Sequence, residues 1–449
     1  MIIKMNGTSR LVTLLLCMVA LSVKAEVTAF EHINVIPMDS EVVLKNKRVI
    51  IDNDKILSIE DGSKVASIQI DHSIDSRGQY MLPSFSETHY HLTSNADEEY
   101  KLLLANGVTA VRNMAEYKEY EEFGIDILAI KKQATQIHTL SPYFYTAGPL
   151  LTTEYLKTEK DALDMVNYHK AHDYDFIKIH GNLPEGIYLE LLEAADKLDL
   201  PVIGHAQRHL PLEYSLRMKS IAHIEEFMYM FSKEQLTNEL FLKKLTKQVK
   251  DSGVFLSPTL STFALIARYA DDVRFSKLKS RPETRYLAYS NLKEWASDSN
   301  SYRQQSRFTS AESISRLDNE LALLKKLTLA MHTAGVPLMV GSDTYGLQVP
   351  GFSIHDEMQL MNEAGLPSYA VLKAATVTAS RYLGRYATSG TISKGKIAEF
   401  VVLNGNPLSN IKNTRKIAGV MHKGQWLDRK SLDELLLQVI EARSIEDKG

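Results

Sequence analysis

Cysteine is almost absent from this chain: one in 449 residues, Cys17, and it lies in a segment that reads as an export signal. Lys4 and Arg10 form a positive start, Leu11 to Val23 is mostly apolar, and Val23-Lys24-Ala25 resembles a small-x-small cleavage site before Glu26. Loss of residues 1–25 would leave no disulfide, no thiol nucleophile and no zinc-thiolate site. Any metal site must then be built from His, Asp, Glu or something less usual. The leader predicts a periplasmic or secreted protein; an uncleaved anchor is the alternative.

Excess positive charge is lacking too. Lys and Arg number 52 against 55 Asp and Glu, a formal charge of −3, and no basic stripe with interleaved aromatics appears. Nucleic acid is therefore not an expected partner. Long apolar runs are missing as well: the leader falls short of the ~20 residues that span a bilayer, so no stable membrane insertion is expected once it is cleaved. Leu16 before Cys17 does not fit a lipobox. No internal repeat or low-complexity segment stands out.

What is present is a β-rich text at both ends and a repeating text between them. Short runs such as Arg48-Val-Ile-Ile-Asp52 and Ile56-Leu-Ser-Ile59 are broken by Asn53-Asp54 and Asp61-Gly62, a hairpin pattern. It returns in Gly395–Leu403 and Ile417–Gly424. This predicts a small β-sandwich made from residues 26–80 plus 387–430. From 81 to 386, apolar strand-like runs ending near His91, Arg112, Ala147, His180, Ala206, Glu225, Leu260 and Asp343 alternate with amphipathic helical stretches. About eight such units favour an α/β fold of the closed (β/α)8, TIM-like barrel type. Residues 261–316, polar, aromatic and too long for a plain connection, read either as a lid over the barrel mouth or as an oligomer contact. Residues 431–449 read as a C-terminal helix.

In such barrels functional groups stand at the C-terminal strand ends. The first ends in His89-Tyr90-His91, whose alternate side chains share one side of an extended segment. With 14 histidines in the chain, that pair alone decides nothing. The fourth strand carries Lys178 and His180, the fifth ends in His205, the sixth in His223 and the eighth in Asp343. Each has an ordinary reading: rim histidines, an aspartate capping the next helix, a lysine snorkelling to the rim. Alternatively the buried Lys178 amine has reacted with carbon dioxide, replacing a costly buried cation with a carbamate that bridges two metal ions. The joint occurrence at strand ends, in this order, favours a metal site.

This ordered pattern resembles the amidohydrolase superfamily of metal-dependent hydrolases. The resemblance extends through Leu82-Pro83, Gly107-Val-Thr-Ala-Val-Arg112, Ala375-Thr376 to Leu383-Gly384, Gly390-x-Ile392, Gly395-Lys396 and Asn406-Pro407-Leu408. Ile177-Lys178 followed by Gly204-His205 looks like the dipeptidase-like and imidazolonepropionase-like branch. The resemblance implies two divalent ions, zinc being usual: one on His89, His91 and Asp343, the other on His205 and His223, bridged by carboxylated Lys178. It further implies a metal-bridging hydroxide attacking an amide carbonyl, with Asp343 as general base and then acid. Departures are Glu87 where the family usually has Asp, Arg112-Asn113 for Arg-Asp, and Ala398-Glu399-Phe400 for Ala-Asp-Leu.

The implied activity is an exported hydrolase of amide bonds in small molecules such as dipeptides or N-acyl amino acids, with homo-oligomerisation open. Lactonase, cyclic-amide hydrolase or phosphotriesterase-like activity is the alternative, and a non-catalytic binding homologue a third. Arg208 and His209 are candidates to meet a substrate carboxylate, a rim salt bridge being the other reading of Arg208; His355 is a candidate wall residue, and His180 and Tyr90 lie near the site by position.

Overall fold

The computed structural model describes residues 26–122, 124–136 and 139–446; the leader of residues 1–25 lies outside them. Strands β1 (Val27–Val35), β2 (Leu44–Asp52), β3 (Lys55–Asp61), β4 (His72–Asp75) and β5 (Tyr80–Pro83) open the chain. β6 (Phe85–Tyr90), β7 (Val108–Asn113), β8 (Tyr143–Thr146), β9 (Ile177–Ile179), β10 (Val202–Gly204), β11 (Ser220–Ala222) and β12 (Phe255–Ser257) come next. β13 (Phe400–Leu403), β14 (Ile417–His422) and β15 (Gln425–Asp428) close the strand order.

Both chain ends contribute to one eight-stranded sheet, ordered β15-β14-β13-β5-β1-β2-β3 with β4 paired to β1. The strands expected to form the small β-sandwich are joined in one hydrogen-bonded network. The reason lies in β1, whose register shifts between Phe30 and Ile33, and again before Val35, with His32 at φ +58°. Its first half pairs with β4 and its last residues with β5, so one bent strand joins what two sheets would otherwise divide. Asn53, at φ +53°, makes the tight β2–β3 turn.

The predicted boundary at residue 80 falls inside β5, which belongs wholly to this sheet; β6 begins at Phe85. The alternation of β5 explains why. Met81 packs into the small core with Phe30, Val49 and Phe400, whereas Leu82 faces the main core with Phe85 and Val401. With both faces covered, a continuous apolar run carries no mark of where one unit ends.

In the middle, β6-β7-β8 and β9-β10-β11-β12 form two parallel sheets, the hallmark of repeated βα units. Ala147 bridges to Phe176 and Leu256 to Leu338, both in parallel sense. The expected eighth strand, from Pro337 to Asp343, is irregular. Met339 N donates to Leu256 O on one side (2.9 Å), and Thr88 N donates to Val340 O on the other (3.0 Å). Ser342 N instead meets the Glu87 side chain at 2.9 Å, which interrupts the main-chain ladder.

Residues 261–316 form helices Leu260–Ala270, Asp272–Lys279 and Tyr289–Trp295 with an apolar cluster of their own around Tyr269, Phe275 and Tyr286. Val439 of the last helix, Arg429–Glu446, enters the same cluster. That helix starts two residues before its predicted beginning at 431. No helix among the described residues is long and apolar enough to cross a membrane.

Gly107 sits where barrel and small sheet meet. It has φ +77°, and a Cβ there would lie 2.7 Å from Val401 Cγ1 and 3.3 Å from Phe85 Cδ2. Gly107→Ala is expected to cost about 2–3 kcal/mol from backbone strain plus overpacking, read as a lower urea midpoint. An unchanged midpoint would show that the two units do not depend on this contact.

Candidate metal centre

The strand ends deliver all six candidate ligands, His89, His91, Lys178, His205, His223 and Asp343, to one depression. His91, His89, His223, His205 and His180 succeed one another with ring centroids 5.2, 4.7, 4.6 and 4.5 Å apart. Asp343 Oδ1 lies 3.0 Å from His91 Nε2 and 3.3 Å from His89 Nε2, and Oδ2 lies 3.9 Å from His223 Nδ1. Among the described residues, His89, His91 and Asp343 bring potential ligand atoms within 4.8 Å of one another. They line a cavity of about 740 Å³ together with Lys178, His180, His205 and His223.

Two ligand candidates sit in left-handed backbone: His223 at φ +71° and Asp343 at φ +57°. Such conformations are uncommon for residues with a Cβ and persist where surrounding structure holds them. Here the holders are visible. His223 N donates to Ser257 O at 2.9 Å, and Asp343 N donates to His89 O at 2.8 Å.

Contacts behind the rings orient them. His205 Nδ1 faces Glu226 Oε1 at 2.7 Å, so this nitrogen carries the proton and donates it to the carboxylate. Thr259 donates its own hydroxyl proton to Pro258 O (2.8 Å); it therefore accepts from His223 Nδ1 at 2.7 Å. In both rings Nε2 is left with its lone pair free, the tautomer that a metal ligand needs. His91 Nδ1 lies 2.9 Å from the Tyr117 hydroxyl. Nδ1 of His89 is buried without a hydrogen-bond partner and Nε2 faces only Asp343 Oδ1, at 3.3 Å, an arrangement in which a cation on Nε2 would satisfy both the imidazole and the carboxylate.

Burial, reinforced by the neighbouring positive groups, lowers His89, His205 and His223 well below the usual imidazole range. Burial works to raise the Asp343 carboxyl, but the edges of His89 and His91 hold it well below its ordinary value. Lys178, 2 % exposed, is brought down to about 7, chiefly by burial. Its stem passes Gly204, where a Cβ would stand 2.8 Å from Lys178 Cδ. Neutral imidazoles, a carboxylate and an amine that sheds its proton near neutrality form a donor set suited to a divalent ion.

The three candidate substrate contacts are placed elsewhere. Arg208 is committed to Glu226 through two hydrogen bonds of 2.8 Å and covers the Tyr229 ring at 3.9 Å. His209 is exposed outside the cavity lining. His355 is buried behind the barrel wall, with Nδ1 3.0 Å from Thr414 Oγ1 and its ring edge-on to Phe85. Tyr90, also near the site by position only, points into the core and donates to Glu99. Position near a strand end could not reveal which way these side chains turn. Glu226, Tyr117 and Thr259 escaped sequence reasoning; the Glu225-Glu226 pair just past His223 was the only hint of them.

Glu226→Gln is expected to weaken divalent-ion affinity by about 10- to 100-fold, with an unchanged far-UV circular dichroism spectrum. Competition against a chromogenic chelator measures it. Undiminished affinity would show that Glu226 does not orient a ligand.

The Amidohydrolase family matches residues 80–427. Among solved structures, the fold is similar to that of bottromycin amidohydrolase (TM-score 0.70, 20% identity, covering 92% of this chain and 90% of that one). It is also similar to a Xaa-Pro dipeptidase with bound methionine (TM-score 0.66, 16% identity, 90% and 100%). Adenine deaminase 2 of Shouchella clausii (strain KSM-K16) is 26% identical over 167 residues, which is 36% of this chain and 28% of the relative's length. The match to the family spans most of the chain, including every strand end that carries a candidate ligand: the chain belongs to the amidohydrolase family, a family of metal-dependent hydrolases.

Proposed function

We propose that this protein is an exported binuclear metal-dependent hydrolase that cleaves an amide C–N bond in a small substrate such as a dipeptide or an N-acyl amino acid. The observation that carries the reading is the convergence of the buried His89 with His91 and Asp343, whose potential ligand atoms gather at one point of the cavity, and with the neighbouring His223 ring. In this reading the seven strands and the Pro337–Asp343 segment close a (β/α)8 barrel, supported by the hydrogen bonds of that segment to β12 and β6.

His89, His91 and Asp343 would hold one ion, His205 and His223 the other, and carboxylated Lys178 both. Two divalent ions, zinc by donor chemistry, supply water activation and carbonyl polarisation when bound. Carboxylation needs the neutral amine: nitrogen attacks the carbon of CO2, an N–C bond forms, and a proton leaves. Because the amine loses its proton as pH rises through about 7, the reaction is favoured on the alkaline side.

Asp343 is the residue placed to move a proton. With Oδ1 beside His89 and His91, Oδ2 is free to accept a proton from the attacking water and return it to the leaving nitrogen. Burial keeps His205 and His223 neutral, and Glu226 and Thr259 fix their tautomers. The insertion of residues 261–316 lends Glu294 and Trp295 from a helix and Tyr302 from the turn after it to the cavity wall, which supports the lid reading of that insertion.

In the purified, metal-replete protein we expect two ions per chain; fewer than one would overturn the binuclear reading. Asp343→Asn that keeps its metal should lose about 10²- to 10⁴-fold in kcat, and normal turnover would remove Asp343 from the proton path. Lys178→Ala should be inactive and regain activity with added short carboxylic acids, more readily than wild type responds to them. In a panel of dipeptides, N-acyl amino acids, lactones, cyclic amides and phosphotriesters, linear amides should react best. A lactone or phosphotriester reacting faster would replace the amide assignment.

A further inference from the structure

We infer that the cavity is built for a substrate carrying a cationic amine or guanidinium group, rather than one presenting a carboxylate toward the cap. This rests on the hydrolase reading of the same cavity and goes beyond it to the substrate's charge. Besides Asp343, the lining includes the carboxylates of Glu119 and Glu294, while Lys178 on the floor is its only lysine or arginine among the described residues. Glu119 and Glu294 are exposed at the mouth. Glu225 lies deeper, where burial raises its carboxyl well above the usual range, so the negative wall is that of the two exposed glutamates. Low-dielectric walls around one sign of charge focus the field on an entering ligand of the opposite sign.

Arg208, three residues past His205, is held by Glu226 in a two-pronged pair with its guanidinium 3.9 Å over the Tyr229 ring, and Arg303, next to Tyr302, is held by Asp272 and Asp298; neither is in the lining. A substrate carboxylate therefore meets no free arginine on the wall.

The cap side is aromatic. Trp295 packs edge-on against Tyr345 (centroids 5.6 Å) and tilts over Tyr302 at 6.3 Å, with the Tyr302 and Tyr345 hydroxyls 3.2 Å apart. Faces of Trp and Tyr beside a carboxylate are a recognised environment for organic cations. Glu294 directly precedes Trp295, so charge and aromatic face arrive on one helix, Tyr289–Trp295. Asp343 and a Lys178 carbamate would offset half of the charge of two divalent ions on the floor, whereas Glu119 and Glu294 are exposed at the mouth.

The test uses metal-replete enzyme and dipeptides Ala–X and X–Ala, with X lysine, norleucine or glutamate, each as free acid and C-terminal amide. Lysine should exceed norleucine by about tenfold in kcat/KM, glutamate should be poorest, and amides should at least match acids. Glu119→Gln with Glu294→Gln should collapse the lysine-to-norleucine ratio toward one, mainly through KM. A wild-type ratio of one or less, or a ratio that survives in the double variant, overturns the inference. If no dipeptide is cleaved, the amide-hydrolase reading fails, and binding still decides the charge preference. In a Trp426→Phe background, Trp295 fluorescence should respond to L-lysinamide at about tenfold lower concentration than to L-norleucinamide; equal responses would overturn it.

Discussion

The Glu87 carboxylate accepts hydrogen bonds from main chain at both ends of the strand succession. Oε1 takes His89 N at 3.0 Å, in β6, and Ser342 N at 2.9 Å, in the segment that occupies the eighth place; Oε2 takes the Ser342 hydroxyl at 2.8 Å. Both amide groups belong to the chemically important stretch: one is that of His89 itself, and Asp343 comes directly after Ser342 and donates its own amide to His89 O. Glu87 thus ties the first histidine and the aspartate into one rigid unit. Burial pushes its carboxyl up to about 8 against the pull of these hydrogen bonds. Gly341 completes the arrangement, because any Cβ there would come within 2.6 Å of His89 Cβ.

Around this clasp the electrostatics run short of positive charge in a particular way. Five imidazoles stacked at successive separations of 4.5–5.2 Å cannot all be protonated out of contact with water. Burial keeps His89, His205 and His223 neutral, and Lys178 falls to about 7 beside them. There remains Asp343, a buried carboxylate beside the edges of His89 and His91. A divalent ion supplies what the buried carboxylate and His89 Nε2 lack, so the same feature that is unfavourable without an ion favours the bound state.

Much of this was legible in the sequence because strand ends are marked twice, by an apolar run and by the polar, metal-ligating residue type that ends it. His89, His91, Lys178, His205, His223 and Asp343 all reach one cavity, as their positions implied. Legibility failed where direction rather than position decides. Arg208 lies just past the fifth strand but turns to a buried glutamate, and His355 turns its ring to Phe85 and Thr414. It failed again where an apolar run serves two cores at once, as Met81 and Leu82 do, hiding the boundary between the units. The eighth strand reads as regular in sequence because side chains give no sign that Glu87 will take the place of a ladder partner.

The wall that faces the substrate and the floor that holds the ligands are not independent. Tyr345 stands two residues beyond Asp343, and its hydroxyl lies 3.2 Å from that of Tyr302 in the insertion. Leu347 N donates to the Tyr269 hydroxyl at 2.9 Å, and Gly346 lets the loop pass so close that a Cβ would fall 2.5 Å from that oxygen. The loop carrying Asp343 is therefore fastened to the helices that carry Trp295 and Tyr302. A shift of the cap strains this loop, and through it the aspartate that Glu87 and His89 hold in left-handed backbone. In the proposed reading, these contacts would couple substrate binding at the cap to the position of Asp343.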